Sequence, residues 1–236
     1  MCYNNYMEKS EKLAKAKKKQ KLLFLIADVL ALLAIAFTLI VRFVDVQSIG
    51  PNESAVGLAT INGAVHEALP FNELWYKLTK YSGYLMFLLP LYFAILFLVQ
   101  LVGRKSLKKI DRELWLGTFY AFVVIATYFI FEHLLIINCR PVILDGSLEP
   151  SYPSSHTFFA ITLCGASVLL VSRYLKVKHK AFVNTLIILL AVFNIVGRIL
   201  SGVHWATDIL GGILIGATLV TAFFAALKKP AKAKTE

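Results

Sequence analysis

Six stretches of this chain stay apolar for about as long as a helix needs to cross a bilayer. A hydrocarbon core of about 30 Å takes roughly 20 residues at 1.5 Å rise each. The runs at 22–44, 83–102, 114–131, 157–171, 181–197 and 209–227 meet or approach that length. The fourth is short and needs residues on either side to complete a crossing. In lipid every backbone N–H and C=O must be satisfied inside the segment or in a closed barrel. Long uninterrupted apolar runs select the first solution, so the sequence predicts an all-α, polytopic membrane protein with six transmembrane helices. Composition agrees, with 58% hydrophobic and 17% charged residues against about 25% charged in a soluble domain. The first run follows a basic segment, but it is longer than a signal-peptide apolar region and has no small-residue cleavage pattern. It reads as an anchor.

The net charge of +11 would suit nucleic acid if the charges formed a patch, but they alternate between loops instead. Lys9, Lys12, Lys15, Lys17, Lys18, Lys19 and Lys21 precede the first run, and Arg104, Lys105, Lys108, Lys109 and Arg112 separate the second from the third. Arg173, Lys176, Lys178 and Lys180 follow the fourth; Lys228, Lys229, Lys232 and Lys234 follow the sixth. The positive-inside rule then puts both termini in the cytoplasm. Anionic lipid headgroups, rather than nucleic acid, are the partners of these lysines. Residues 1–21 are expected to be a solvated basic arm, 22–227 one membrane domain, and 228–236 a polar basic tail.

Cys2, Cys139 and Cys164 are too few and too scattered for a disulfide framework or a metal site. The outer loop at 45–82 carries Val65, Leu69, Leu74, Trp75 and Leu78 among polar residues, a pattern expected of amphipathic turns on the membrane surface, with Trp75, Tyr76 and Tyr81 at headgroup level. Asp28, deep in the first run, is expected to be a packing or interfacial residue, and Gly212 with Gly216 a close helix contact.

The polar residues with chemical potential fall in the two remaining outer loops. One opens with Cys139-Arg140-Pro141 and closes with Pro153-Ser154-Ser155-His156; the other holds Arg198, His204 and Asp208. Ionisable groups gathered at one depth of a membrane mark a functional site. Arg140 and Arg198 can grip phosphate oxygens bidentately and stay charged. Ser154 and Ser155 offer hydroxyls and backbone N–H groups at a helix start, where anions bind; a plain helix cap would use the same residues. His204 and Asp208 are four apart, hence on one helical face. A carboxylate on one imidazole nitrogen fixes the tautomer and frees the other as a nucleophile. His156 can then protonate the leaving oxygen.

These residues resemble the type 2 phosphatidic acid phosphatase superfamily, whose motifs are K-x6-R-P, P-S-G-H and S-R-x5-H-x3-D. Here they read His133-x6-Arg140-Pro141, Pro153-Ser154-Ser155-His156 and Gly197-Arg198-x5-His204-x3-Asp208. The resemblance covers residues from about 80 to 227. It implies six helices, a phosphohistidine on His204, His156 as general acid, Asp208 as its support, no metal ion or other cofactor, and a lipid phosphate as substrate. It further implies a site on the extracytoplasmic face and phosphate binding by Arg140, Arg198, Ser154, Ser155 and His133. His133 replaces the family lysine, so phosphate binding is expected to be weaker or pH-dependent. Candidate substrates are polyprenyl diphosphates, phosphatidic acid and phosphatidylglycerol phosphate. The same residues would serve a phosphotransferase, and a non-enzymatic lipid-phosphate binder would need no His204, His156 and Asp208 trio.

Overall fold

The computed structural model describes residues 2–144, 146–175 and 177–228. Asp145, Lys176 and residues 229–236, which include most of the expected tail, lie outside them. The described residues fold as α1 (Cys2–Phe43), α2 (Ala59–Ala68), α3 (Glu73–Met86), α4 (Leu88–Arg104), α5 (Arg112–Phe129), α6 (Ser155–Phe159), α7 (Gly165–Tyr174), α8 (Val177–Leu200) and α9 (Ala206–Leu227). Short π-helical turns, Ile130–Leu134 and Ala160–Cys164, extend α5 and join α6 to α7.

Among the described residues, five helical runs are long and apolar enough to cross a membrane: Leu13–Phe43, Glu73–Arg104, Arg112–Leu134, Lys178–Leu200 and Ala206–Leu227. A shorter apolar helix spans Ser155–Val171. The chain is a multi-pass membrane protein. Its large exposed side chains, such as Leu32, Val99, Phe122 and Phe182, are those a lipid solvent requires outside.

Two local causes set where the helices break. No glycine or proline interrupts α1, which runs from Cys2 through the basic arm and stops before Asp45, a residue with φ of 48°. Pro90 has no N–H and would crowd the carbonyl of Met86, four residues earlier. The second crossing accordingly divides there, α3 ending at Met86 and α4 beginning at Leu88. The loop at 45–82 is thus more helical than surface turns: the Asn72 side chain accepts from Trp75 N–H at 3.1 Å and starts α3.

α9 is the centre of the bundle, with α1 packed along it and α6 against its first turns. The close approach depends on the two glycines. A Cβ on Gly212 would lie 3.1 Å from the Ser154 carbonyl oxygen, and one on Gly216 would lie 2.8 Å from Ile161 side-chain atoms. Near the other end, Gln20 donates to the Ala225 carbonyl at 3.0 Å and Arg112 to the Ala226 carbonyl at 2.8 Å. Asp28 is exposed on α1.

Candidate active site

Three short-range features bring the loop motifs together. The segment around Arg140 runs antiparallel to the segment before α6: Arg140 N–H donates to the Glu149 carbonyl at 3.0 Å and Ser151 N–H to the Asn138 carbonyl at 2.9 Å. Ser154 N–H donates to the Asp208 carbonyl at 2.9 Å, which docks the start of α6 on the start of α9. The Trp205 indole donates to the Cys139 carbonyl at 2.7 Å and holds the residue before Arg140 against the residue after His204. Arg140, His156, Arg198, His204 and Asp208 are thereby gathered at one end of α6, α8 and α9.

Asp208 is fully buried and serves two purposes. One oxygen accepts from the Trp205 N–H at 3.0 Å, satisfying a donor at the start of α9, and the same oxygen lies 3.5 Å from Nδ1 of His204. The other oxygen accepts from the Asn138 amide at 3.2 Å. His204 itself is buried. Burial first, then the facing guanidiniums of Arg140 and Arg198, hold its imidazole well below the ordinary range. At neutral pH it is therefore uncharged, the form that can act as a nucleophile.

Arg198 is 1% exposed. Its Nη2 lies 2.6 Å from Nε2 of His156, and its guanidinium carbon lies 5.5 Å from the centroid of the Tyr76 ring. Arg140 pairs with Glu149 through Nη2 at 3.0 Å. Several buried polar atoms at this cluster have no hydrogen-bond partner in the protein: Nε and Nη1 of Arg198, Nε of Arg140, and Oγ of Ser154. Leaving such groups unpaired costs about 1–3 kcal/mol each, more when charged. The unpaired guanidinium atoms can only donate, so what they lack is an acceptor. No group of three or more His, Cys, Asp or Glu side chains poised around a metal occurs among the described residues.

Ser155 is partly exposed and lines a small cavity with Tyr128, Glu132 and Pro153. His133 is not brought in with the others. It sits exposed in the π-helical turn after α5, its ring 4.7 Å from that of Phe129. Gly197 stands where the family has serine, and α3 passes so close that a Cβ there would lie 2.4 Å from Thr79 Cγ2. Tyr76, Asn138 and Asn62 belong to the site's surroundings without any motif to announce them. Trp75 packs on Phe193 with ring centroids 5.9 Å apart, and the Tyr76 ring lies against the Arg198 guanidinium.

A family model described as the PAP2 superfamily matches residues 71–231. Among solved structures, the chain is similar to a crystal structure described as the first transmembrane PAP2 type phosphatidylglycerolphosphate phosphatase from Bacillus subtilis. The two share 22% identity and a TM-score of 0.57 over 89% of this chain and 98% of that one, a likeness of fold. No curated protein matches the chain.

Proposed function

We propose, for a chain that belongs to the PAP2 superfamily, an integral-membrane phosphatase that hydrolyses a lipid phosphomonoester or diphosphate through a phosphohistidine on His204. The observation that carries this reading is the set of buried, unpartnered donors of Arg140, Arg198 and Ser154 around a neutral His204. Two guanidiniums can neutralise a phosphoryl group and hold it for in-line attack.

In the first step His204 Nε2 bonds to phosphorus while the bond from phosphorus to the lipid oxygen breaks, and that oxygen takes a proton from His156. In the second, His156 removes a proton from water, whose oxygen displaces the His204 nitrogen and frees inorganic phosphate. Asp208 keeps the His204 proton on Nδ1 throughout. In its contact with Arg198, Nε2 of His156 is the acceptor, because guanidinium N–H groups only donate. The proton-carrying form of His156 therefore goes with Arg198 turned toward phosphate oxygens.

In-line geometry places the leaving lipid opposite His204, on the His156 side. The helix Ser155–Val171, which continues to Tyr174 at the end of α7, serves as the sixth crossing. The alternation of basic loops supports cytoplasmic termini and a site on the extracytoplasmic face, with the membrane domain at 22–227 flanked by the arm at 1–21 and the tail at 228–236. Polyprenyl diphosphates, phosphatidic acid and phosphatidylglycerol phosphate all offer the required chemistry. The solved relative is named for the last of these.

The test is purified protein in detergent incubated with these lipids, reading free phosphate and radiolabel trapped on protein. Phosphate release with an acid-labile phosphoprotein is expected. Labelled lipid recovered unchanged across the panel would refute the reading.

A further inference from the structure

Asp208 has a second carboxylate oxygen that faces away from His204, and a chain of hydrogen bonds leads from it to parts of the protein outside the three motifs. Asn138, 1% exposed, donates to that oxygen at 3.2 Å. The amide of Asn138 cannot be turned over, because its own oxygen accepts from the Gly57 N–H at 3.1 Å, and a backbone N–H can only donate. The carbonyl end must face Gly57, so the NH2 end must face Asp208.

Gly57 is in turn held on both sides. Its carbonyl accepts from Asn62 at 2.8 Å, and Asn62 also donates to Thr207 Oγ1 at 2.9 Å and accepts from the Thr207 N–H at 3.2 Å. Any Cβ at position 57 would lie 1.5 Å from the Val41 carbonyl oxygen, so the last turns of α1 press directly on this glycine. Asn62 is completely buried. Each amide end in the chain therefore has one allowed orientation, and each orientation points the next group along. Gly57 and Asn62 precede residue 71, where the family match begins. Part of the seat of Asp208 is built by the connection between α1 and α2.

We infer that Asn138 is a positioning residue for the nucleophile. Anchored on Gly57, it fixes the Asp208 carboxylate so that its other oxygen keeps the His204 proton on Nδ1 and leaves Nε2 free to attack. The inference rests on His204 being the nucleophile. The side-chain hydrogen bonds of Asn138 go to Gly57, Thr207 and Asp208 rather than to Arg140, Arg198 or Ser154, so its replacement should slow chemistry and spare binding. Outer-shell partners of this kind are worth on the order of 10- to 100-fold in activity.

The experiment compares wild type with Asn138→Leu, which is close in shape and has no donor, and Asn138→Ser, which is smaller and can still donate. Three quantities are read on folded, monodisperse protein: kcat, KM, and the proton position on His204 from 15N-histidine NMR. The expected result for Asn138→Leu is a 10- to 100-fold lower kcat, KM within about twofold, and His204 signals shifted from the Nδ1–H tautomer toward a mixture. Asn138→Ser should recover part of both the rate and the tautomer. An unchanged His204 tautomer and kcat in Asn138→Leu would overturn the inference. So would a KM that rises in proportion to the loss of kcat/KM. The NMR arm needs no turnover. A wild type without phosphatase activity would therefore sink the proposed function while the tautomer still judged the role of Asn138.

Discussion

Arg198 lies between His156 and Tyr76, its Nη2 2.6 Å from the imidazole Nε2 and its guanidinium 5.5 Å from the phenol ring centroid. The contact with the ring face orients a buried cation that has few other partners. Such cation–π contacts contribute about 0.5–2 kcal/mol, the larger values when desolvated. Tyr76→Leu is expected to raise KM for a lipid phosphate by about fivefold, whereas Tyr76→Phe, which keeps the ring, should stay within about twofold. Equal losses in the two variants would assign the effect to the hydroxyl instead.

The two histidines should separate by leaving group. His204→Ala is expected to abolish turnover and the acid-labile phosphoprotein together. His156→Ala should lose most turnover on lipid alkoxide substrates, roughly 10²- to 10⁴-fold, yet still be phosphorylated by an activated aryl phosphate, whose departing oxygen needs little protonation. Undiminished radiolabel on His204→Ala protein would reverse or cancel the two roles.

Neutral His204 should survive acidification. Burial and two cations hold its pKa well below the ordinary value, so protonation, which would remove the nucleophile, begins only far below pH 6.5. Between pH 7.5 and 5.5 the His204 ring signals in 15N NMR are expected to show no titration step. A midpoint near 6.5 would mean that the ring is neither buried from water nor faced by the two guanidiniums.

His133 lies exposed against Phe129, at the position where the family carries a phosphate-binding lysine. His133→Leu is expected to leave kcat/KM within about twofold, as for most exposed substitutions. A tenfold fall, relieved by His133→Lys, would place this side chain on the phosphate.

Sidedness can be read with a thiol reagent that does not cross membranes. Gly202 is a poor reporter, since its φ is +61° and a Cβ would lie 2.6 Å from the Pro70 backbone. Ser147 and Lys108 are exposed. In intact cells a cysteine at Ser147 should react and one at Lys108 should not; the opposite pattern would invert the topology.

Five long apolar helices and the gathering of Arg140, His156, Arg198, His204 and Asp208 were legible in the sequence because both are local patterns. Apolar length needs no partner to be seen, and the spacings in Arg198, His204 and Asp208 encode one face of a helix start. What was not legible depends on tertiary contact. The second long helical run begins at Glu73 rather than near Gly83, because Lys77 and Lys80 interrupt the apolar pattern while the helix itself continues. Tyr76 reads as an ordinary interfacial aromatic until α3 is laid against Arg198. Asn62 and Asn138 are 76 positions apart, with no shared motif, and meet only through Gly57 and Thr207.

The pairing of Arg140 with Glu149 and of Asn138 with Ser151 fixes register on both arms of the loop between α5 and α6. Beyond those rungs the loop turns back on itself at the bridge between Leu144 and Ser147. Residues inserted outside that bridge, at the tip, would lengthen the loop at little entropic cost and move neither Arg140 nor His156. A single residue deleted between Ser147 and Tyr152 would instead slide one arm past the other and turn its side chains to the wrong side. The number of residues between the two motifs is therefore free to drift, and the tip is the natural place to splice in an epitope or reporter without disturbing the site.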